Sequence, residues 1–221
     1  MLKRKVLPQI EEWYQGGCKK ALLLTGARQV GKTTAVREFA KSHYTHFVEV
    51  NFVKRPIAQK AFDGDLDTKT IITNLSAMGF GPFVEGKTLV FLDEIQECPN
   101  ARTAIKFLVE DHTYDYIESG SLLGINYKPV PSYPVGYEEE IAMFPFDFEE
   151  FLWANGVSEQ VFDVLRDSYR NETPVPDFIH QQMSQYYRQF LAVGGMPEAV
   201  QTFVNNPDFR AVEKVHRSIL T

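Results

Sequence analysis

The sequence predicts an α/β core followed by a small all-helical subdomain, on three observations. An apolar run, Ala21 to Leu24, leads into Gly26-Ala27-Arg28-Gln29-Val30-Gly31-Lys32-Thr33, which fits G-x-x-x-x-G-K-[ST]. A helical pattern follows it, with Ala35, Val36, Phe39 and Ala40 on one face. A second apolar run, Thr88 to Leu92, is bounded by Gly86 and ends in Asp93-Glu94, the pattern of a strand buried on both faces. From Gly156 onward strand signals vanish and only helical periodicities remain. The expected division is a core over residues 1–155 and a helical subdomain over 156–221.

In chain order, residues 5–15 read as a helix with Val6, Leu7, Ile10 and Tyr14 on one side, closed by Gly16-Gly17. Ala21–Leu24 is the first strand. The helix after the glycine-rich loop gives way to His46–Phe52, a second strand. Helical stretches over 57–78 are broken by Asp63-Gly64-Asp65. Asp63, Asp65 and Asp67 are not a calcium loop, because Gly64 is misplaced and no glutamate stands at the twelfth position. His43 and His46 lack a third ligand and read as ordinary histidines. After the Thr88–Asp93 strand comes a helix near 101–111, whose Arg102 and Lys106 read as solvated charges. Tyr114–Glu118 is a further strand, ending in Ser119-Gly120-Ser121. Residues 126–137 form a Pro- and Tyr-rich loop, 138–143 a short last strand, and 147–153 a helix with Asp147 as N-cap. Helices follow at 158–170, 177–193, 197–204 and 207–220, with Pro197 suited to a first turn after Gly194-Gly195. Val212, Val215 and Leu220 give the last helix an apolar face with no stop signal, so the chain is expected to continue past Thr221.

The spacing of the glycine-rich loop has a chemical reason. Its glycines let backbone N–H groups approach phosphate oxygens, and those donors open a helix whose N-terminus carries partial positive charge. Residues Gly26 to Thr34 are therefore the candidate nucleotide-binding set. Lys32 can reach the β- and γ-phosphates, and the Thr33 hydroxyl can ligate Mg²⁺. An aspartate ending such a buried strand suits the metal, which selects Asp93 as its second protein ligand. The carboxylate after it, Glu94, suits a general base acting on water. Ser119 and Ser121 stand where a strand end could contact a γ-phosphate or that water; a plain Ser-Gly turn reads as well.

Bulk properties bound the rest. A net charge of −6 argues against a broad nucleic-acid surface and leaves a local basic patch open. No apolar stretch approaches the ~18 residues of a membrane span. Met1–Lys5 is basic but no apolar run follows, so it is not a signal peptide. Cys18 and Cys98 match no metal or redox pattern and read as reduced thiols of a cytoplasmic protein.

Five motifs in order, Gly26–Thr34, Leu92-Asp93-Glu94-Ile95-Gln96, Ser119-Gly120-Ser121, Pro145–Phe151 and Gly194–Glu198, make nearly the whole chain resemble a known family. It resembles the AAA-type P-loop ATPases of bacteria and archaea that carry these Walker A, Walker B and GGMPEAV segments. The resemblance implies a three-layer P-loop NTPase core with parallel strands in order 5-1-4-3-2, under a helical lid. It also implies ATP and Mg²⁺ as ligands, Asp93 and Glu94 as metal partner and base, and Ser119 or Ser121 as sensor. Such proteins usually have Gly-Arg after a Pro-Val pair; here the segment is Pro134-Val135-Gly136-Tyr137, so no arginine role transfers. They are usually about twice this length and continue into a C-terminal domain, in many cases nuclease-like.

The expectation is thus an ATPase module with Mg-dependent hydrolysis, acting as a homo-oligomer or through its C-terminal domain. The alternative is a nucleotide-dependent switch with little turnover, acting on DNA through that domain. A small-molecule phosphotransferase is disfavoured by the Asp-Glu pair aimed at water.

Overall fold

A computed structural model of the chain describes residues 2–121, 132 and 134–220. Most of the expected 126–137 loop lies outside them. The chain forms two units, Val6–Met143 and a second built from Met1–Lys5 with Phe144–Thr221.

The first unit holds β1 (Ala21–Thr25), β2 (His46–Asn51), β3 (Thr88–Asp93), β4 (Asp115–Gly120) and β5 (Glu138–Ala142). All pairings are parallel, in order β2-β3-β4-β1-β5, which is the expected 5-1-4-3-2 read from the other edge. Every residue of β1 and β3 is buried, so both strands are apolar on both faces. Alternation then sorts their side chains. Leu22, Leu24, Leu89 and Phe91 face α1 (Val6–Gln15) and α2 (Lys32–His43), meeting Ile10, Trp13, Val36 and Phe39. Leu23, Val50, Val90 and Leu92 face the 3₁₀ helix Pro56–Phe62, α3 (Thr68–Ala77) and α4 (Pro99–Glu110), meeting Phe62, Ile71 and Ile105. Each fully buried leucine contributes about 1.5–3 kcal/mol. The Asp63-Gly64-Asp65 break falls between the 3₁₀ helix and α3, and the Asp67 side chain accepts from Thr70 N at 3.0 Å as the α3 N-cap.

Two readings change. β4 runs through Ser119 to Gly120, so the Ser-Gly pair is strand and not turn. Arg102 is not a solvated charge. It is 6% exposed and donates from Nε and Nη2 to Glu138 at 3.4 and 3.3 Å. Near it, on the α4 side of β4, Glu118 is fully buried and neither carboxylate oxygen has a hydrogen-bond partner among the described residues.

The second unit contains α5 (Phe148–Ala154), α6 (Glu159–Arg170), α7 (Asp177–Val193), α8 (Pro197–Asn205) and α9 (Phe209–Leu220). Asp147 and Glu150 form a reciprocal capping box at the start of α5. Glu150 also accepts from Arg4 Nε at 3.0 Å and from the Lys5 backbone N–H at 2.7 Å. The Arg4 guanidinium lies 4.1 Å from the Phe146 ring centroid and donates to Phe144 O at 2.7 Å. These bonds assign residues 2–5 to the helical unit. The boundary falls at Phe144 and not at 155, because Phe146, Phe151 and Leu152 are buried and Phe151 packs on Phe203. Gly194-Gly195 is more than a helix–helix turn. Phe146 N donates to Gly195 O at 2.7 Å, and a Cβ on Gly195 would stand 2.3 Å from Phe146 O.

Gly195→Ala is therefore expected to destabilise the helical unit by about 1–3 kcal/mol, read from urea unfolding. A native midpoint would remove the close-approach argument. The buried Glu118 carries a pH signature. Burial holds its carboxyl well above the usual range; the charge of Glu138 adds to this and Arg102 opposes it. The folded state thus binds this proton more tightly than the unfolded chain. The contribution is complete below the unfolded value near 4.5 and is lost as pH rises through the raised folded value. Glu118→Gln should melt higher than the native chain above neutrality, with the gap closing as pH falls. A gap independent of pH would contradict it.

Candidate functional site

The glycine-rich loop connects β1 to α2. Gly26 sits where the end of β5 comes close: Met143 N donates to Thr25 O at 2.7 Å, and a Cβ on Gly26 would lie 2.2 Å from Met143 O. Gln29 takes positive φ of 62° and Gly31 of 97°, the sharp path that turns successive N–H groups toward one point. Val30 is fully buried in the α1/α2 core and anchors the loop, while Ala27, Arg28 and Gln29 are exposed around it. Gly31 is the N-cap of α2 and, among the described residues, no side chain caps that terminus, which leaves its first N–H groups available to an anion. Thr34 is exposed in the first turn.

Lys32 is 6% exposed and folds back on the loop, its Nζ donating to Gly26 O at 2.9 Å and Ala27 O at 2.8 Å. Burial lowers its pKa; Glu94 and Asp93 oppose that, and Arg28 adds to it. The loop amides and this lysine form one cluster of positive potential.

The facing wall is Asp93. The sheet register sets Asn51, Asp93 and Ser119 side by side at the ends of β2, β3 and β4. The Asp93 carboxylate is 2% exposed and accepts from Asn51 Nδ2 at 2.7 Å, from Thr33 Oγ1 at 3.1 Å, and from Ser119 Oγ. All three donors are neutral, so the carboxylate is satisfied without a bonded cation. Asn51 also accepts at Oδ1 from Val53 N at 3.1 Å and Lys54 N at 2.7 Å.

Glu94 follows in a left-handed conformation, φ 58° and ψ 47°, costly for a residue with a Cβ. The turn swings its carboxylate out of the strand direction to a half-buried position, where it accepts from Gln96 Nε2 at 2.6 Å. Ser121 stands just past the end of β4, half-buried. Of the expected site residues, the structure brings Lys32, Thr33, Asp93, Glu94 and Ser119 into one neighbourhood, with Ser119 bonded to Asp93 itself.

The chemistry of the donors fits Mg²⁺. The Thr33 hydroxyl and the Asp93 carboxylate are hard oxygen ligands, and Mg²⁺ commonly takes one or two of these with waters and phosphate oxygens. No group of three or more His, Cys, Asp or Glu among the described residues could hold a metal by itself. His43 is bonded to Glu11 at 2.8 Å and to Phe39 O at 3.0 Å. Burial pushes the Cys18 and Cys98 thiols up to about 12 and 11, so neither is a ready nucleophile.

Sequence reasoning missed Asn51 and Gln96. Asn51 closes β2 as Asp93 closes β3, so a polar residue ending the strand was the available signal. Gln96 gave none beyond its place two residues after Glu94. Tyr137, where the resembling proteins carry arginine, donates its hydroxyl to Glu110.

The profile of the AAA domain family matches residues 18–152. A chain of C. elegans PCH-2 is 11% identical with a TM-score of 0.48, covering 98% of this chain and 66% of that one. A chain of Drosophila ORC, solved bound to DNA, is 15% identical with a TM-score of 0.52, covering 96% of this chain and 66% of that one. At that identity the likeness to ORC is one of fold. The chain spans about two thirds of the length of these solved structures. No curated protein sequence matches it. The match over residues 18–152, more than half of the 221 residues, shows that the chain belongs to the AAA domain family.

Proposed function

We propose that this AAA domain binds ATP together with Mg²⁺ and hydrolyses it. The observation that carries the reading is the meeting of Thr33 Oγ1 and Asp93 Oδ2 at 3.1 Å, beside the buried Lys32 at the mouth of the loop. The amides of Gly26 to Thr34 hold the phosphates, and Lys32 exchanges its loop carbonyls for phosphate oxygens. Thr33 and Asp93 would hold the metal, which when bound neutralises charge developing on the phosphoryl oxygens. Glu94 takes the proton of the attacking water as general base. Ser119, with Asn51, holds Asp93 in place. Ser121, past the strand end, is the remaining sensor candidate. We place the protein in the cytoplasm. No helix among the described residues is long and apolar enough to cross a membrane.

A second reading, a switch with little turnover, is favoured by the exposed Arg28 and by Tyr137 bonded to Glu110 in place of an arginine. Phosphoryl transfer gains about 10³–10⁵ in rate from an added arginine. The positive charge for fast turnover then comes from a second copy, a C-terminal domain or a partner. Action on DNA would be a property of the same C-terminal domain.

Lys32→Ala is expected to weaken ATP binding by about 1.5–3 kcal/mol, measured by calorimetry; native affinity would sink the phosphate-loop assignment. Glu94→Gln keeps shape but cannot take a proton, so turnover should fall about 10²–10⁴-fold while ATP stays bound. Phosphate release at the native rate would remove Glu94 as the base. The rate for the native chain should lie well below the ~1–10³ s⁻¹ usual for enzymes and rise with protein concentration. A fast rate independent of concentration would place the needed charge within one chain, with Arg28 the first residue to substitute.

A further inference from the structure

Glu94 stands on a turn that is itself rigidly held. The 3₁₀ turn Ile95–Glu97 is closed by Glu97 N to Glu94 O at 2.9 Å and Cys98 N to Ile95 O at 3.0 Å. Ile95 is fully buried, so the turn is pinned under the sheet-facing core. Gln96 is only 6% exposed, which is unusual for a long polar side chain. A buried glutamine used as a structural tie would bond backbone groups with both ends of its amide. This one does not. Its Nε2 donates to Glu94 Oε2 at 2.6 Å, and its Oε1 is buried with no hydrogen-bond partner among the described residues. Among the described residues, the bond that fixes the amide is the one to the neighbouring carboxylate. The identity of its two ends follows from that bond, because a carboxylate oxygen accepts only from the NH₂ end.

We infer that Gln96 is a positioning residue for Glu94, holding the carboxylate by Oε2 so that Oε1 alone is presented to the attacking water. This deepens the reading of Glu94 as general base and rests on it. A free glutamate side chain samples many rotamers, and a base must lie within hydrogen-bond reach of the proton it takes. An amide anchored on a buried turn removes that freedom from one oxygen and leaves the other to accept from water. Supporting contacts of this type hold reactive groups to a fraction of an ångström. Nothing is transferred to Gln96. The proton passes from water to Glu94 Oε1, and the Gln96 N–H stays on its nitrogen.

The test is a double-mutant cycle in the full chain, with ATP affinity and single-turnover phosphate release measured for each variant. Gln96→Met keeps length and burial but removes the donor. It should lower kcat about 10–100-fold with KM and ATP affinity unchanged. In a Glu94→Gln background the same change should cost nothing more, since the carboxylate it positions is gone. Gln96→Asn, one methylene shorter, cannot span the contact and should reproduce the loss if the Met variant folds poorly. An unchanged kcat in either variant overturns the inference. So does an equal fall in both backgrounds, or a parallel loss of ATP affinity, each of which marks a structural role. Absence of phosphate release from the native chain at every concentration overturns the ATPase reading, and this inference with it. Native release with unaffected Gln96 variants overturns this inference alone.

Discussion

The carboxylate of Asp93 is the constraint on which the site depends. A buried carboxylate without donors is too costly to keep ionised, and the usual remedy, a bonded cation, would cancel the charge a metal ion needs. Here the remedy is three neutral donors, from Asn51, Thr33 and Ser119. They come from β2, α2 and β4, so the register of two strand pairs and the seat of one helix must all be right at once. Lys32, the nearest cation of the loop, bonds to Gly26 and Ala27 carbonyls instead. The carboxylate is therefore satisfied by neutral donors alone.

The same strand shows what a register error would do. Ser119 faces Asp93, while Glu118, one residue earlier, faces the α4 layer with Arg102 and Glu138. Slippage of β4 by one residue would exchange them, because side chains alternate faces. A buried glutamate would then meet Asp93, two carboxylates where the structure has an acid and a hydroxyl. Glu118 is an expensive residue on either side, and its raised proton affinity is how the fold tolerates it on the α4 side.

The parts legible in the sequence are those fixed by local chemistry. The loop, its flanking strand and helix, and the acid pair ending β3 are contiguous patterns, and each fell where expected. Strand order came through resemblance to other proteins, since order is set by long-range pairing that no local pattern contains. Asn51 was invisible for that reason: its bond to Asp93 spans 42 residues and depends on β2 and β3 pairing in register. Arg102 looked solvated because an isolated arginine on a helix is written the same way whether its partner is water or a glutamate 36 residues on. The unit boundary was misplaced because the helix after Asp147 joins the helical unit through Arg4 and Gly195, contacts from opposite ends of the chain.

The state of Lys32 explains how such a loop can wait for its ligand. A charged amine at 6% exposure is unfavourable by itself, and burial lowers its pKa accordingly. Its two bonds to loop carbonyls recover part of that cost and at the same time brace the turn Gly26–Gly31. The loop is thus already ordered, with Val30 buried beneath it and an uncapped helix N-terminus behind it. On the proposed reading, an arriving phosphate would meet donors that need no further ordering, and the lysine would trade neutral acceptors for charged ones. What the loop carbonyls leave of the cost of burying the amine would be offset further by an anion, so on the proposed reading the preorganised loop would favour a triphosphate over water.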